Sequence, residues 1–362
     1  MKKRRALLKL AAACAASLAL CACGQDRSLG QRAIVKAVYL DESGGAYHAG
    51  LAVFLCEPNS DTASVQGEAK IYTGEGASMD EALRDAEQKQ NKTPFYAQNE
   101  LLFLGPGALR RDVTPYLAYF GQENAARPNL SVFAVDLTQR EFSRCDDTIT
   151  DVVREGGRIV QETALGAGPA RGIYELAAPQ GQRADGWLPV LSFGEDSEDF
   201  IGVRELVLLE DGRAGERLEE EAMSTALMLA GKQDTVSFSG SDGGEPLAFT
   251  TQPLTLTHSV ENTQEGPVLT VRAAGRLRSV SLGAGELHGR QAQQAAQRVC
   301  RFLQRTAEAL GEQTFARGND VFHHAWWLRQ LDAAQVQAMQ RAGTLWQPGR
   351  VQYVFDLRVQ PE

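Results

Sequence analysis

Asp320, His323 and His324 are the residues whose types and spacing come nearest to a metal site. On a helix, positions i, i+3 and i+4 share one face, so a carboxylate and two imidazoles would converge on one ion. No second group of histidines or cysteines completes a ligand shell, and the competing reading is a surface or interface cluster beside Trp326 and Trp327. No metal is therefore expected. The two tryptophans fall on opposite faces of one element. One is expected in the core and the other partly exposed, as a partner or membrane contact. Acids recur in groups: Asp146-Asp147, Asp196 with Glu198 and Asp199, and Glu219 to Glu221. Paired carboxylates cleave glycosides only across a cleft, and in so acidic a chain these groups read as a solvated face. There is no GxSxG elbow, HExxH helix or Walker loop. Gly74-Glu75-Gly76 and Gly166-Ala167-Gly168 lack the third glycine and the strand–helix setting of a dinucleotide site. No catalytic residue and no cofactor is expected.

Cysteine chemistry is more specific at the N-terminus. Lys2, Lys3, Arg4, Arg5 and Lys9 form a basic region, and Leu10 to Ala22 is apolar but too short for a stable transmembrane anchor. Leu20-Cys21-Ala22-Cys23 places a leucine three residues before Cys23 and a small residue directly before it, the pattern of a bacterial lipoprotein signal. Cys21 fits poorly, since Leu20 would then stand at the cut. Cleavage after Ala22 and a diacylglyceryl thioether on Cys23 are expected, against the alternative of an ordinary secretory signal with stray cysteines. Arg4-Arg5 also has some likeness to a twin-arginine signal. Cys56, Cys145 and Cys300 are far apart, odd in number and free of any CxxC pair, so buried thiols are expected. A Cys56–Cys145 bridge is the other arrangement left open.

The chain has 362 residues and a formal charge of −9. Losing residues 1–22 removes five positive charges and no acid, which leaves −14. Such a chain does not hold nucleic acid by counterion release. Anionic lipid heads repel it too, so the lipid on Cys23 would hold it to a membrane.

The elements that must position these groups alternate between strand and helix. Ala33–Leu40 and Leu51–Cys56 read as an antiparallel hairpin about Gly44-Gly45. Gly74 and Gly76 read as a flexible corner before a helix capped by Ser78 and Glu81, with Ala82, Leu83 and Ala86 as its apolar stripe and Pro94 as its stop. Leu101–Leu104 reads as a buried strand closed by Gly105-Pro106-Gly107, followed by a helix over Leu109–Phe120 and a strand over Asn129–Leu137. Ile149–Ala164 reads as a helix. Short strands follow at Leu188–Phe193 and Glu205–Leu209, then a turn at Asp211-Gly212 and a helix at Glu219–Leu229. The C-terminal part has strands at Thr235–Ser239, Leu254–Glu261, Val268–Ala274 and Arg276–Leu282. A long amphipathic helix follows over Gly289–Leu310, then a helix at Ala333–Arg341 and a last strand at Arg350–Val359. The expected fold is a multi-domain α+β ectodomain with mainly antiparallel mixed sheets and packed helices. Its expected divisions are a signal peptide (1–22), a lipidated linker (23–30), an N-terminal α+β domain (31–180), a small middle domain (187–245) and a C-terminal domain (246–362).

The Gly-Glu-Gly corner, the Ser78-x-x-Glu81-Ala82-Leu83-Arg84 helix start and the Leu101-Leu102-Phe103-Leu104-Gly105 strand resemble the Ger(x)C family of spore germination lipoproteins. So do the lipobox at Cys23, the strand and acidic turn from Ala33 to Glu42, and the run from the long helix through Ala316–Leu331 to the final strand. The resemblance covers nearly the whole chain after Cys23. It implies a C subunit of a GerA-type nutrient germinant receptor: a three-domain α+β ectodomain without enzymatic activity, tethered to the outer face of the inner spore membrane. It implies partners in the polytopic A subunit and the membrane B subunit. It carries over no catalytic residue. The alternatives are a solute-binding lipoprotein of a transporter, whose usual two doubly wound lobes suit this strand-rich C-terminal part poorly, and a surface-anchored hydrolase.

Overall fold

In the computed structural model, the structure describes residues 32–55, 68–122, 130–146, 149–151, 171–176, 184, 186–192, 202–283 and 290–359. Cys23, Cys56, the signal segment and most of the helix expected at Ile149–Ala164 lie outside them. Gly44 and Gly45 both take positive φ, 61° and 81°, as a two-residue hairpin turn requires. They join β1 (Arg32–Ser43) to β2 (Ala46–Leu55), with Ser43 opposite Ala46. β3 (Glu68–Gly76) adds antiparallel to β2. β4 (Thr93–Phe95) and β5 (Leu101–Leu104) run parallel to β1, and β6 (Ser131–Ala134) runs parallel to β5. The short β7 (Arg171–Gly172) pairs with β6. The sheet continues through β8 (Gly186–Ser192), β9 (Gly202–Glu210) and β10 (Arg213–Glu219), giving the order β10-β9-β8-β6-β5-β1-β2-β3. Asp211 and Gly212 form the turn expected between β9 and β10, both at positive φ; β10 itself has no counterpart among the expected strands.

Helices cover both faces of this sheet, which is why β5 and β6 are buried along their whole length. One face packs beneath α1 (Met79–Gln88), α2 (Pro106–Leu109), α3 (Thr114–Gln122) and α5 (Ile173–Leu176). The other takes α4 (Gln139–Phe142) and α6 (Glu220–Leu229). The ladder between β1 and β2 shifts register between Val35 and Ala37. That extra residue moves the alternation by one, so Ala33 and Val35 share a core with Val38 and Leu40, while Ala37 and Tyr39 point into the opposite one. The helix expected over Leu109–Phe120 is two, α2 and α3. Pro106 sits in the first turn of one and Pro115 in the first turn of the other, where the missing N–H is harmless.

α1 follows the sequence closely. The Ser78 hydroxyl accepts the Glu81 amide at 3.2 Å, and Ala82, Leu83 and Ala86 are its buried residues. Glu81 reaches the amide of Ala77, not that of Ser78. The flexible corner before it is corrected: Gly74 and Gly76 belong to β3, and α1 packs directly on their bare Cα atoms. A Cβ on Gly74 would lie 2.2 Å from the Ala82 carbonyl oxygen.

The second sheet has the order β11-β12-β14-β13, with β15 parallel to β14. Its strands are β11 (Ser237–Asp242), β12 (Glu245–Thr251), β13 (Thr255–Thr263), β14 (Gly266–Ser281) and β15 (Val351–Val359). β14 is continuous where two strands were expected. Gly275 does not end it; it makes room for Leu254, whose Cδ2 would lie 2.6 Å from a Cβ there. β12 was not expected either. α7 (Arg290–Gln313) lays Ala292, Ala295, Val299, Phe302, Leu303, Ala307 and Leu310 against the sheet. α8 (His324–Leu331) and α9 (Ala333–Ala342) complete the layer. Strands of the expected middle domain divide between the two sheets, and one hydrophobic core runs from Phe103 and Trp187 in the first sheet to Tyr353 in the second and Phe302 on α7 above it.

Candidate functional site

The trio Asp320, His323 and His324 does not form a ligand set. The i, i+3, i+4 spacing converges only on one continuous helix, but α8 starts at His324, and His323 before it sits in the left-handed region at φ 58°. Asp320 spends its carboxylate on the helix start, accepting the amides of His324 at 2.7 Å and Ala325 at 2.9 Å. His323 is exposed while His324 is fully buried, so the imidazoles diverge. Among the described residues no group of three histidine, cysteine or acidic side chains is placed to hold a metal ion.

His324 is a core residue. Its Nε2 lies 3.0 Å from the Tyr353 hydroxyl, its Nδ1 has no hydrogen-bond partner among the described residues, and Phe315 and Phe322 pack around the ring. Burial, then the nearby His258 and His323, push it down from 6.5 to about 3. The unfolded chain therefore takes up a proton as pH falls below 6.5, and the folded one does not until about 3. Stability is full above that window and declines as pH falls through it, by about 1.4 kcal/mol per unit for this one proton. Urea midpoints between pH 6.5 and 4.5 should show the decline, and His324→Gln, which can still accept from Tyr353, should flatten it. Equal slopes in both proteins would disprove the assignment.

The tryptophans divide less sharply than expected: Trp327 is half-buried against the core and not inside it. Trp327 stacks on His258 at 4.2 Å with rings nearly parallel, while Trp326 is 52 % exposed and meets Trp327 edge-on. Two of the acids hold neighbouring segments: Asp146 accepts the Ile71 amide at 2.8 Å, and Glu221 accepts the Thr306 hydroxyl at 3.1 Å. Asp147, Asp196, Glu198 and Asp199 lie outside the described residues. Cys145 and Cys300 are free, half-buried thiols, both pushed up by burial and so poor nucleophiles at neutral pH.

One buried acid escaped sequence reasoning. Asp41, only 5 % exposed, lies within β1 and not in a turn after it. Its Oδ1 accepts the amides of Gly107 at 2.7 Å and Ala108 at 2.9 Å, at the start of α2. The Tyr39 hydroxyl lies 3.1 Å from Oδ2 and donates to the Leu137 carbonyl at 2.8 Å. Burial and then Asp41 hold the Tyr39 phenol far above its ordinary range, so it stays protonated as a brace. Gly105 and Gly107 are required here, because a Cβ on Gly107 would lie 1.8 Å from the Glu42 carbonyl oxygen. The network ties the Gly105-Pro106-Gly107 turn to β1.

The fold and these sites define a class: an α+β protein of two sheets sharing a core, in which Asp41 and Asp320 brace backbone and, among the described residues, no three histidine, cysteine or acidic side chains converge on a metal ion. Residues 25–151 match the family model of the spore germination protein N-terminal domain. The structure is similar to the crystal structure of the GerBC protein over 89 % of this chain and 96 % of that one, at a TM-score of 0.54 and 10 % identity. At that identity the likeness is one of fold. No curated protein matches the sequence. The N-terminal domain and the shared fold together bear out the resemblance to the Ger(x)C family.

Proposed function

We propose that this chain is the lipid-anchored C subunit of a spore nutrient germinant receptor and works through protein–protein contact. The match of residues 25–151 to a spore germination domain carries the reading, and the fold shared with GerBC over most of both chains supports it. Asp41 and Asp320 are engaged in holding a turn and a helix start. Among the described residues no helix is long and apolar enough to cross a membrane, which suits attachment through a thioether lipid on Cys23. That tether would confine the ectodomain beside the A and B membrane subunits on the outer face of the inner spore membrane, raising their effective concentration.

Two measurements test this. Cys23→Ala should abolish incorporation of labelled palmitate and release the protein from membranes; a variant still labelled and retained overturns the lipidation site. A pull-down from spore membranes should recover both membrane subunits. Recovery of neither overturns the partner assignment.

A further inference from the structure

β15 is an edge strand, and its free side runs along a cleft. Leu269 lies opposite Val351 in the parallel ladder, and its amide donates to the Arg350 carbonyl at 2.9 Å. Residues 350, 352, 354 and 356 therefore turn their backbone groups to β14, and Val351, Tyr353, Phe355 and Leu357 turn theirs away. Leu357 is used, since its backbone hydrogen-bonds the Cys300 thiol. Among the described residues no strand lies along the side that Val351, Tyr353 and Phe355 face. A cleft of about 380 Å³ opens there between β15 and the C-terminal half of α7, lined by Val351 and Tyr353, Phe315, Glu308 and Glu312. Glu308 and Glu312 are one helical turn apart, exposed, and in no ion pair among the described residues.

An open row of strand amides and carbonyls takes up an extended chain. Neither carboxylate is neutralised by a cation among the described residues; Glu308 accepts only from the Gln304 amide, at 2.9 Å, so the pair favours a cationic side chain. We propose that the β15 edge is a docking site for an extended segment of a partner protein that bears a lysine or arginine, added as a sixth strand with its basic side chain in the cleft. The proposal rests on the reading of this chain as an interaction subunit, and it names the surface that reading leaves open.

The test uses the full-length lipidated chain in detergent and a fluorescein-labelled nine-residue peptide of alternating threonine and valine with a central lysine. A matched peptide carries glutamate instead. The lysine peptide should bind saturably, and the glutamate peptide about tenfold or more weakly. Val351→Pro removes an amide that faces away from β14, so the ladder survives while the edge is blocked. The double change Glu308→Lys with Glu312→Lys sits on an exposed helix face. Each variant should weaken the lysine peptide by about tenfold or more with an unchanged circular dichroism spectrum and urea midpoint, and the double variant should now prefer the glutamate peptide. Equal binding of the two peptides, wild-type binding by either variant, no saturation at millimolar peptide, or an edge occupied by a second copy of the chain in sedimentation each overturns the proposal. If membrane subunits are still pulled down by Val351→Pro, the interaction reading stands and this site falls. If the peptide binds as described but no subunit is recovered, the site stands and the receptor assignment falls.

Discussion

Trp187→Ala should destabilise the protein by about 3–5 kcal/mol, the range for emptying a buried tryptophan site. Trp187 is 1 % exposed in β8, and its indole lies against Phe322, with ring centroids 6.5 Å apart. Phe322 precedes α8, on the side of the second sheet, so the indole fills the core where the two sheets meet. Side-chain hydrogen bonds also cross the same boundary. Asn319 donates to the Leu209 carbonyl at 2.8 Å, and Gln313 donates to Glu216 at 2.8 Å. Hydrogen bonds of this kind contribute about 1 kcal/mol each, so most of the coupling between the sheets comes from apolar packing. Guanidinium unfolding should show one transition in the parent protein. In Trp187→Ala it should move to lower denaturant and lose cooperativity, with the half carrying β11–β15 separating from the first sheet. Trp187→Phe keeps an aromatic ring against Phe322 and should recover much of the loss. A change below about 1 kcal/mol in Trp187→Ala, the size of an ordinary surface substitution or a little more, would show that the two sheets are joined by something else.

Contacts within a dozen residues were legible in the sequence; those beyond were not. The Ser78–Glu81 cap, the Ala82, Leu83 and Ala86 stripe, the buried Leu101–Leu104 strand and the apolar face of α7 are all local, and they fold as their patterns require. Asp41 looks from sequence like an acid closing a strand, because its partners Gly107 and Ala108 stand more than sixty residues away. β14 looks like two strands, because the role of Gly275 depends on Leu254 from the segment before β13. β12 was missed although Gly243 and Gly244, both at positive φ, repeat the turn signal recognised at Gly44-Gly45. The short, mixed run Glu245–Thr251 that follows lacked the apolar content of β2. The metal trio failed for a different reason. Its spacing was read on a helix that does not begin until its last member, so periodicity described geometry that Asp320 and His323 never have. The β15 edge is invisible in sequence altogether, since an edge is defined by what does not lie beside a strand.

The glycine pair before α1 gives the second large effect. Gly74 and Gly76 lie in β3 at ordinary negative φ, so their need for glycine is not conformational. A Cβ on Gly74 would stand 2.2 Å from the Ala82 oxygen and 2.3 Å from the Ala86 nitrogen; one on Gly76 would stand 2.5 Å from the Glu81 Cβ and 2.6 Å from the Ala82 nitrogen. Most of these are backbone atoms of α1, which no rotamer change can move. Overpacking usually costs about 1–3 kcal/mol where side chains give way. Here the whole helix must lift, separating Ala82, Leu83 and Ala86 from the core they share with Leu51 and Val53. Gly74→Val should therefore destabilise by about 3 kcal/mol or more, and Gly74→Ala by somewhat less. Gly121 supplies the control. It lies in α3, and a Cβ added there would have no atom of the described residues within 4 Å of it, so Gly121→Ala should leave stability unchanged or raise it by about 0.5–1 kcal/mol through helix propensity. Thermal unfolding of the three variants would separate the two roles. If Gly74→Val melted with the parent protein, the glycines would be a hinge after all, and α1 would be held by its cap and stripe without the close approach to β3.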